Sequence, residues 1–440
     1  MSDQPKHMHL AQFLVHGPTH HSLAMWRHPE TTVNGLEWAQ PALYQDIART
    51  CERGCFDMVF FADLNYIADT FTGSLGPALR NATQAPEHDP IPLLSWMGAS
   101  TEHIGLASTF SVSHHHPFYA ARLWATLDHL TGGRAGWNVV SSLNANQAAN
   151  HGEERQDSDT RYDRAEEFIE VCKKLWASWD DDALTMDRDA GVFADPDKVR
   201  RIEHEGRFFR SRGPLNVVPS PQRGPAILQA GVSSKGRDFA ARHADAIFAI
   251  QPVAEHAKTY RDDIRARARD FGRDGDAIKV LFGMQPILGD TEADAKARQR
   301  EHNELVHAEG GLALLSAHLD FDLSTLDLDQ PLIDCDERKL DRMRSRAVHD
   351  DGTPMTIREV ARRHGESVTL PQFVGTAEQV ADRMCKFQDA VGGDGFMLSA
   401  ISLPTAINRF VDDVVPILQE RGRLRTAYDA GTLRGLLADG

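Results

Sequence analysis

The chain has 440 residues, 41% of them hydrophobic and 25% charged, which is the make-up of a globular protein with a large core that needs no staples. Its 48 Lys and Arg stand against 64 Asp and Glu, a formal charge of −16 that argues against nucleic acid or an anionic membrane as the main partner. No stretch approaches the roughly 18 apolar residues of a membrane span, and the first residues lack an apolar signal-like core, so the cytoplasm is the expected compartment. Five cysteines, an odd number in a long chain, fit a reducing environment, and Cys51 and Cys55 read as buried thiols.

In chain order, eight short apolar runs read as strands: 8–15, 56–62, 104–110, 135–140, 226–230, 246–250, 278–284 and 395–398. Continuous apolar runs of this length suit parallel strands covered on both faces. Helical patterns alternate with them. The segments 41–53, 117–130 and 376–390 each stop at glycine, as helix C-termini do. The clearest pattern is 161–179, where Tyr162, Ala165, Phe168, Ile169, Cys172, Leu175, Trp176 and Trp179 repeat at 3.6 residues, with Thr160 and Asp163 spaced like a capping box. Eight βα units without a repeated half predict an α/β fold, a (β/α)8 TIM barrel, ahead of a doubly wound sheet. The whole of 1–440 is expected to form one domain. Three long insertions, near 64–92, 144–225 and 309–371, are expected at the C-terminal face, where barrels keep their sites.

Several segments carry polar groups to that face. Asp63 follows strand 2 and either receives hydrogen bonds from a ligand or caps the next turn. Thr109 on strand 3 carries the same ambiguity. Asn138 lies near the end of strand 4, in Leu130-Thr-Gly-Gly-Arg-Ala-Gly-Trp-Asn-Val-Val-Ser-Ser142. Gln229-Ala-Gly-Val-Ser-Ser-Lys-Gly-Arg237 follows strand 5 and opens a helix. Its free N–H groups, Ser233, Ser234 and two glycines make either a phosphate cradle or a plain serine-capped helix. Among 21 histidines, His7 and His9 raise a rival reading, a metal-dependent amidohydrolase barrel. They sit at the start of strand 1, the wrong end, and later strands offer no matching ligands, so no metal is expected. No Gly-x-Ser-x-Gly elbow or Walker loop is present.

The run Leu127-Asp-His-Leu-Thr-Gly-Gly-Arg-Ala-Gly-Trp-Asn-Val-Val-Ser-Ser142 resembles a segment of the two-component flavin-dependent monooxygenases of the bacterial luciferase-like superfamily. The subgroup is that of nitrilotriacetate, EDTA and dibenzothiophene-sulfone monooxygenases. Trp26–Pro29, Arg161–Phe168, Val192–Val199, Gly213–Asn216, Ile227–Gly231, Gly393–Phe396 and Arg425–Tyr428 look like family motifs in the same order. The resemblance implies a barrel that binds reduced FMN (FMNH2) from a separate NAD(P)H:flavin reductase. It implies O2 as co-substrate, a flavin (hydro)peroxide as oxidant, and a small organic substrate that is hydroxylated or cleaved at C–N or C–S. A homodimer or homotetramer is expected. By motif position Asp63, Thr109 and Asn138 belong beside the isoalloxazine ring, and Tyr162, Ser233 and Ser234 at the phosphate. His20 and His21 fall near the reacting face and are the candidate catalytic residues. Trp137 is expected in the barrel wall. Two departures stand out. Ser158 replaces a histidine that many relatives carry four residues before the tyrosine, and His114-His-His116 precedes Pro117-Phe-Tyr119 where relatives commonly read Pro-Tyr-His. A catalytically silent flavin-binding barrel is the remaining alternative.

Overall fold

The computed structural model describes residues 7–142, 144–231, 233–344, 347–349 and 351–438. Eight parallel strands close on themselves: β1 His9–Val15, β2 Met58–Ala62, β3 Gly105–Ser111, β4 Ala135–Val140, β5 Ala226–Gln229, β6 Ala246–Ala249, β7 Lys279–Leu288 and β8 Gly395–Ser399. Neighbours pair in sequence from β1 to β7, and β8 fits between β7 and β1 to complete the ring. This is the expected (β/α)8 barrel, with all eight strands where the apolar runs predicted them. β7 runs four residues further than expected. Its last four, Gln285–Leu288, pair with a short strand, Gln372–Gly375, that the apolar pattern does not reveal.

Alternation along the strands sorts the side chains. Ala11, Phe13, Met58, Phe60, Ala107, Leu228, Leu281 and Met397 fill the barrel, and Leu433 and Leu437 of a terminal helix join the same cluster. Full burial of each such leucine contributes about 1.5–3 kcal/mol. Residues of the opposite parity pack on the surrounding helices. Trp137 is one: it stacks on Trp124 at 5.6 Å, and its Nε1 donates to the Phe110 carbonyl at 3.0 Å. It belongs to the barrel wall, as expected.

The helices that matter here are α1 Pro41–Arg53, α2 Pro117–Leu130, α3 Ser158–Trp176, α4 Ser234–His243, α5 Ala308–Leu319, α6 Ile357–Ser367, α7 Ala377–Val391 and α8 Leu433–Ala438. α1 and α2 have the predicted bounds. α7 starts with a Thr376–Gln379 capping box and stops at Gly392 in the left-handed region. α3 differs from expectation. Its cap is Asp157, whose carboxylate accepts from the Asp159 and Thr160 N–H groups, so the helix begins three residues earlier than predicted and ends at Trp176. Thr160 is no cap; its hydroxyl donates to Asp157. Trp179 lies beyond the helix, with Nε1 donating to the Leu215 carbonyl at 2.7 Å.

The predicted insertions follow β2, β4 and β7. The second contains α3 and two small hairpins, Leu184–Asp187 with Val192–Ala194 and His204–Glu205 with Arg210–Ser211. The third contributes α5 and α6, which share a small core of Leu312, Leu315, Leu332, Ile357 and Ala361 with Phe71 from the first. Among the described residues no helix is long and apolar enough to cross a membrane.

Candidate active site

The C-terminal ends of β2, β3, β4 and β5 are consecutive around the barrel, and each delivers one of the predicted polar groups. Thr109 and Asn138 face each other in the β3–β4 register. Asn138 Nδ2 donates to Thr109 Oγ1 at 2.9 Å, which fixes the amide plane. Its Oδ1 is then buried with no partner among the described residues. A buried carbonyl oxygen left unpaired costs about 1–3 kcal/mol, so this atom suits a ligand N–H donor.

Asp63 stands one residue past β2. The following turn is not capped through it: the Leu64 N–H goes to Glu87 Oε1 at 3.0 Å, and Asp63 Oδ2 instead accepts from Asn65 Nδ2 at 3.1 Å. Burial, reinforced by the nearby Asp89 carboxylate, pushes the Asp63 carboxyl up to about 7. Burial and Asp63 likewise raise Glu87 well above the carboxylate range. Two such carboxyls cannot both ionise cheaply, so at neutral pH this rim holds a proton it can offer in a hydrogen bond.

After β5 the chain turns sharply. Gly231 N–H and Gln229 Oε1 are paired, and Gly231 and Gly236 pack so closely that a Cβ on Gly236 would stand 3.1 Å from Gly231 Cα. The same Cβ would stand 2.5 Å from the Tyr162 hydroxyl and 3.1 Å from Ser233 Oγ. Tyr162, from α3, is therefore gathered with the serine turn, as predicted. Ser233 caps α4 by accepting the Gly236 N–H at 3.1 Å, so the capped-helix reading is correct as geometry. It does not exclude the cradle, because the Ser233 proton remains a donor and the α4 dipole still favours an anion. The Ser234 hydroxyl accepts from Arg267 Nη1 at 3.4 Å. Ser158, at the first turn of α3, is exposed. The Ser141 and Ser142 end of β4 is knitted to its surroundings. Arg161 donates to both carbonyls, at 3.0 and 3.2 Å, and the Ser142 hydroxyl is 2.7 Å from that of Ser111.

His20 and His21 leave β1 and enclose Phe13, at the top of the barrel. The His21 ring stacks on Phe13 at 3.6 Å and lies 6.2 Å from Phe248 of β6; His20 meets Phe13 edge-on at 6.3 Å. Burial drives both imidazoles down to about 3, so they are neutral at any physiological pH. Two residues that no sequence signal marked join them from the third insertion. His318 of α5 lies 2.9 Å, Nδ1 to Nε2, from His364 of α6, and both couple electrostatically to His21. The mouth thus has a polar arc over β2–β5 and an aromatic and imidazole arc over β1 and β6.

His9, which the rival metal reading invoked, lies at the other end of the barrel. His9 Nδ1 lies 2.9 Å from Asp57, which Arg425 also engages at 2.9 Å, below the strands rather than at the mouth. Residues 19–395 match the family model described as luciferase-like monooxygenase. The chain belongs to this family. The luciferase-like monooxygenase is 42% identical over 98% of its length to dibenzothiophene-sulfone monooxygenase of Rhodococcus erythropolis (strain XP), covering 96% of that relative. It is 37% identical to nitrilotriacetate monooxygenase component A of Aminobacter aminovorans, over 93% of this chain and 92% of the relative. Among solved structures, riboflavin lyase with modified FMN and riboflavin superposes with a TM-score of 0.89 at 32% identity, over 98% of this chain and 96% of that one. The protein is an oxygenase.

Proposed function

We propose that this monooxygenase works with reduced FMN supplied by a separate NAD(P)H:flavin reductase and with O2, and that it oxidises a small organic molecule at the barrel mouth. The observation that carries the reading is the buried, unpaired Asn138 Oδ1, held by Thr109 on the same arc as Asp63 and the Tyr162–Gly236 cradle. Reduced flavin supplies the electron pair that activates O2; the chain positions and protects it.

In this reading Asn138 Oδ1 accepts from a ring N–H, and the protonated Asp63 rim donates to a ring oxygen or nitrogen. Thr109 holds Asn138 in its orientation. Tyr162, Ser233 and, through backbone rather than its engaged hydroxyl, Ser234 hold the phosphate at the α4 N-terminus. His20 and His21, neutral and against Phe13, border the reacting face; they can donate or accept one hydrogen bond without carrying charge. Aromatic walls of Phe13, Phe60 and Phe248 exclude water from the same space. The riboflavin lyase structure with modified FMN supports the choice of cofactor, and the likeness to nitrilotriacetate monooxygenase component A supports a partner component that supplies it. Substrates are expected among those cleaved at C–N or C–S or hydroxylated.

The test is an anaerobic titration with photoreduced FMN, followed by mixing with O2 and a panel of organosulfur and amine substrates. Saturable binding of reduced FMN with oxygen-dependent product is expected. Absence of binding overturns the proposal; binding without any product favours a silent flavin-binding barrel.

A further inference from the structure

The barrel strands carry four hydroxyl side chains, and three of them are partnered. Ser108 donates to the Thr109 carbonyl at 3.2 Å, Thr109 accepts from Asn138, and the Ser111 hydroxyl is 2.7 Å from that of Ser142. The fourth, Ser399 at the end of β8, is fully buried, and its Oγ has no partner among the described residues. A buried hydroxyl in this state costs the fold stability unless something outside the chain pairs with it.

Alternation gives its direction. Met397 fills the barrel, so Ser399, two residues on, points inward at the mouth end of the same strand. Its register partner on β1 is Phe13, also inward, and neighbouring strands stand about 4.8 Å apart. On the other side, β7 pairs Gly283 with Met397 and Met284 with Leu398, which sets Gln285 next to Ser399. That amide is engaged elsewhere: it donates to the Glu366 carbonyl at 3.5 Å and accepts from Gln372 at 2.9 Å. Stacked on Phe13 is the His21 ring, whose Nδ1 is likewise buried and unpartnered among the described residues. Ser399 Oγ and His21 Nδ1 thus flank one phenyl ring, across the barrel from Asn138, since β8 and β4 lie on opposite sides of the ring of strands. The surroundings are uncharged. Phe13, Phe60 and Phe248 are apolar, and the groups that act electrostatically on His21 are the imidazoles of His20 and His318. An ion brought here would lose its hydration without a counter-charge, whereas an uncharged oxygen or nitrogen acceptor needs only the Ser399 proton.

We propose that Ser399 is a further ligand-binding residue of this oxygenase, donating its hydroxyl to an uncharged acceptor atom lodged over Phe13, with His21 beside the same atom. A ring carbonyl of the flavin and an oxygen of the molecule being oxidised share that chemistry. The inference rests on reading the mouth as the oxygenase site, and it gives the β8 side a hydrogen bond that the polar arc does not supply.

The test is S399A in the full chain, read for stability and for binding. Removing an orphaned hydroxyl should leave the urea midpoint at or above the wild-type value. If the acceptor is on the flavin ring, S399A should bind reduced riboflavin about threefold to tenfold more weakly. If it is on the other molecule, riboflavin binding stays unchanged and calorimetry of the flavin-free chain separates acetophenone from isopropenylbenzene, its isostere without oxygen. The wild-type chain should then prefer acetophenone by about threefold to tenfold, and S399A should bind the two equally. A lower urea midpoint for S399A overturns the proposal, because the hydroxyl then has a partner within the fold. So do an unchanged riboflavin affinity and an unchanged acetophenone preference taken together. Failure of reduced FMN to bind the wild-type chain would refute the cofactor reading and leave the acetophenone comparison standing.

Discussion

Replacing Gly236 by alanine separates the flavin reading from a purely structural one. The backbone at Gly236 is ordinary helix, so alanine there should favour α4 by about 0.5–1 kcal/mol. The added Cβ, however, arrives 2.5 Å from the Tyr162 hydroxyl. Ordinary contact begins near 3.4 Å, so the hydroxyl must retreat by about 0.9 Å. That is enough to carry a good phosphate hydrogen bond out of range. A hydrogen bond to a charged group contributes about 1.5–3 kcal/mol, and its loss weakens binding about tenfold to a hundredfold. The assay is the dissociation constant of reduced FMN measured beside that of reduced riboflavin, which lacks the phosphate. G236A should weaken FMN by that factor, leave riboflavin within about twofold, and keep the urea midpoint near the wild-type value. Equal loss for both flavins, or none for either, refutes the assignment of Tyr162 and the serine turn to a phosphate. Y162F, which removes the hydroxyl without crowding, should reproduce the FMN-selective loss.

Three further outcomes follow from the mouth. N138A removes the unpaired Oδ1 and frees Thr109; reduced FMN and riboflavin should both weaken about tenfold, by the 1–2 kcal/mol of one buried hydrogen bond, and unchanged affinity in a fluorescence titration would remove Asn138 from the ring site. Asp63 has its folded pKa raised from 3.8 to about 7, so the native state holds a proton that the unfolded chain has lost, and this group's share of stability falls as pH rises from about 4 to 7. D63N should therefore flatten that decline in urea midpoints compared at pH 5 and pH 8, and an identical slope in both proteins would contradict it. His20 has the opposite sign: its folded pKa is depressed to about 3, so acid favours the unfolded chain below about 6.5. H20Q should shrink the stability difference between pH 7 and pH 5 by about 2 kcal/mol, whatever constant packing cost the glutamine brings, and an unchanged difference in denaturant titrations would mean that His20 protonates freely in the native state.

The two halves of the mouth were not equally legible, for a physical reason. Asp63, Thr109, Asn138 and the serine turn sit at fixed offsets from strand ends, so an apolar run and its boundary locate them directly. The same local logic placed Trp137 in the wall by parity. It missed the continuation of β7, because Pro286 within Gln285–Leu288 reads as a break, whereas here the strand lies beyond the closed barrel and pairs with only four residues. It misplaced the start of α3, because Thr160 and Asp163 imitate a capping box that Asp157 in fact supplies. His318 and His364 carry no local signal at all: they pair with each other and couple electrostatically to His21 across some three hundred residues of chain, and only the packing of α5 on α6 brings them together. Glu87 is a milder case, reaching Leu64 from 23 residues away. On the proposed reading, a cofactor held by strand ends is thus written in short segments whose boundaries are legible locally. The opposite arc is assembled from an insertion whose residues are free to change without disturbing the barrel hydrogen bonds. On the proposed reading, substrate choice can therefore diverge on the His318 and His364 side while the Asn138 side stays recognisable, because the first depends on the packing of α5 on α6 and the second on the β3–β4 register alone.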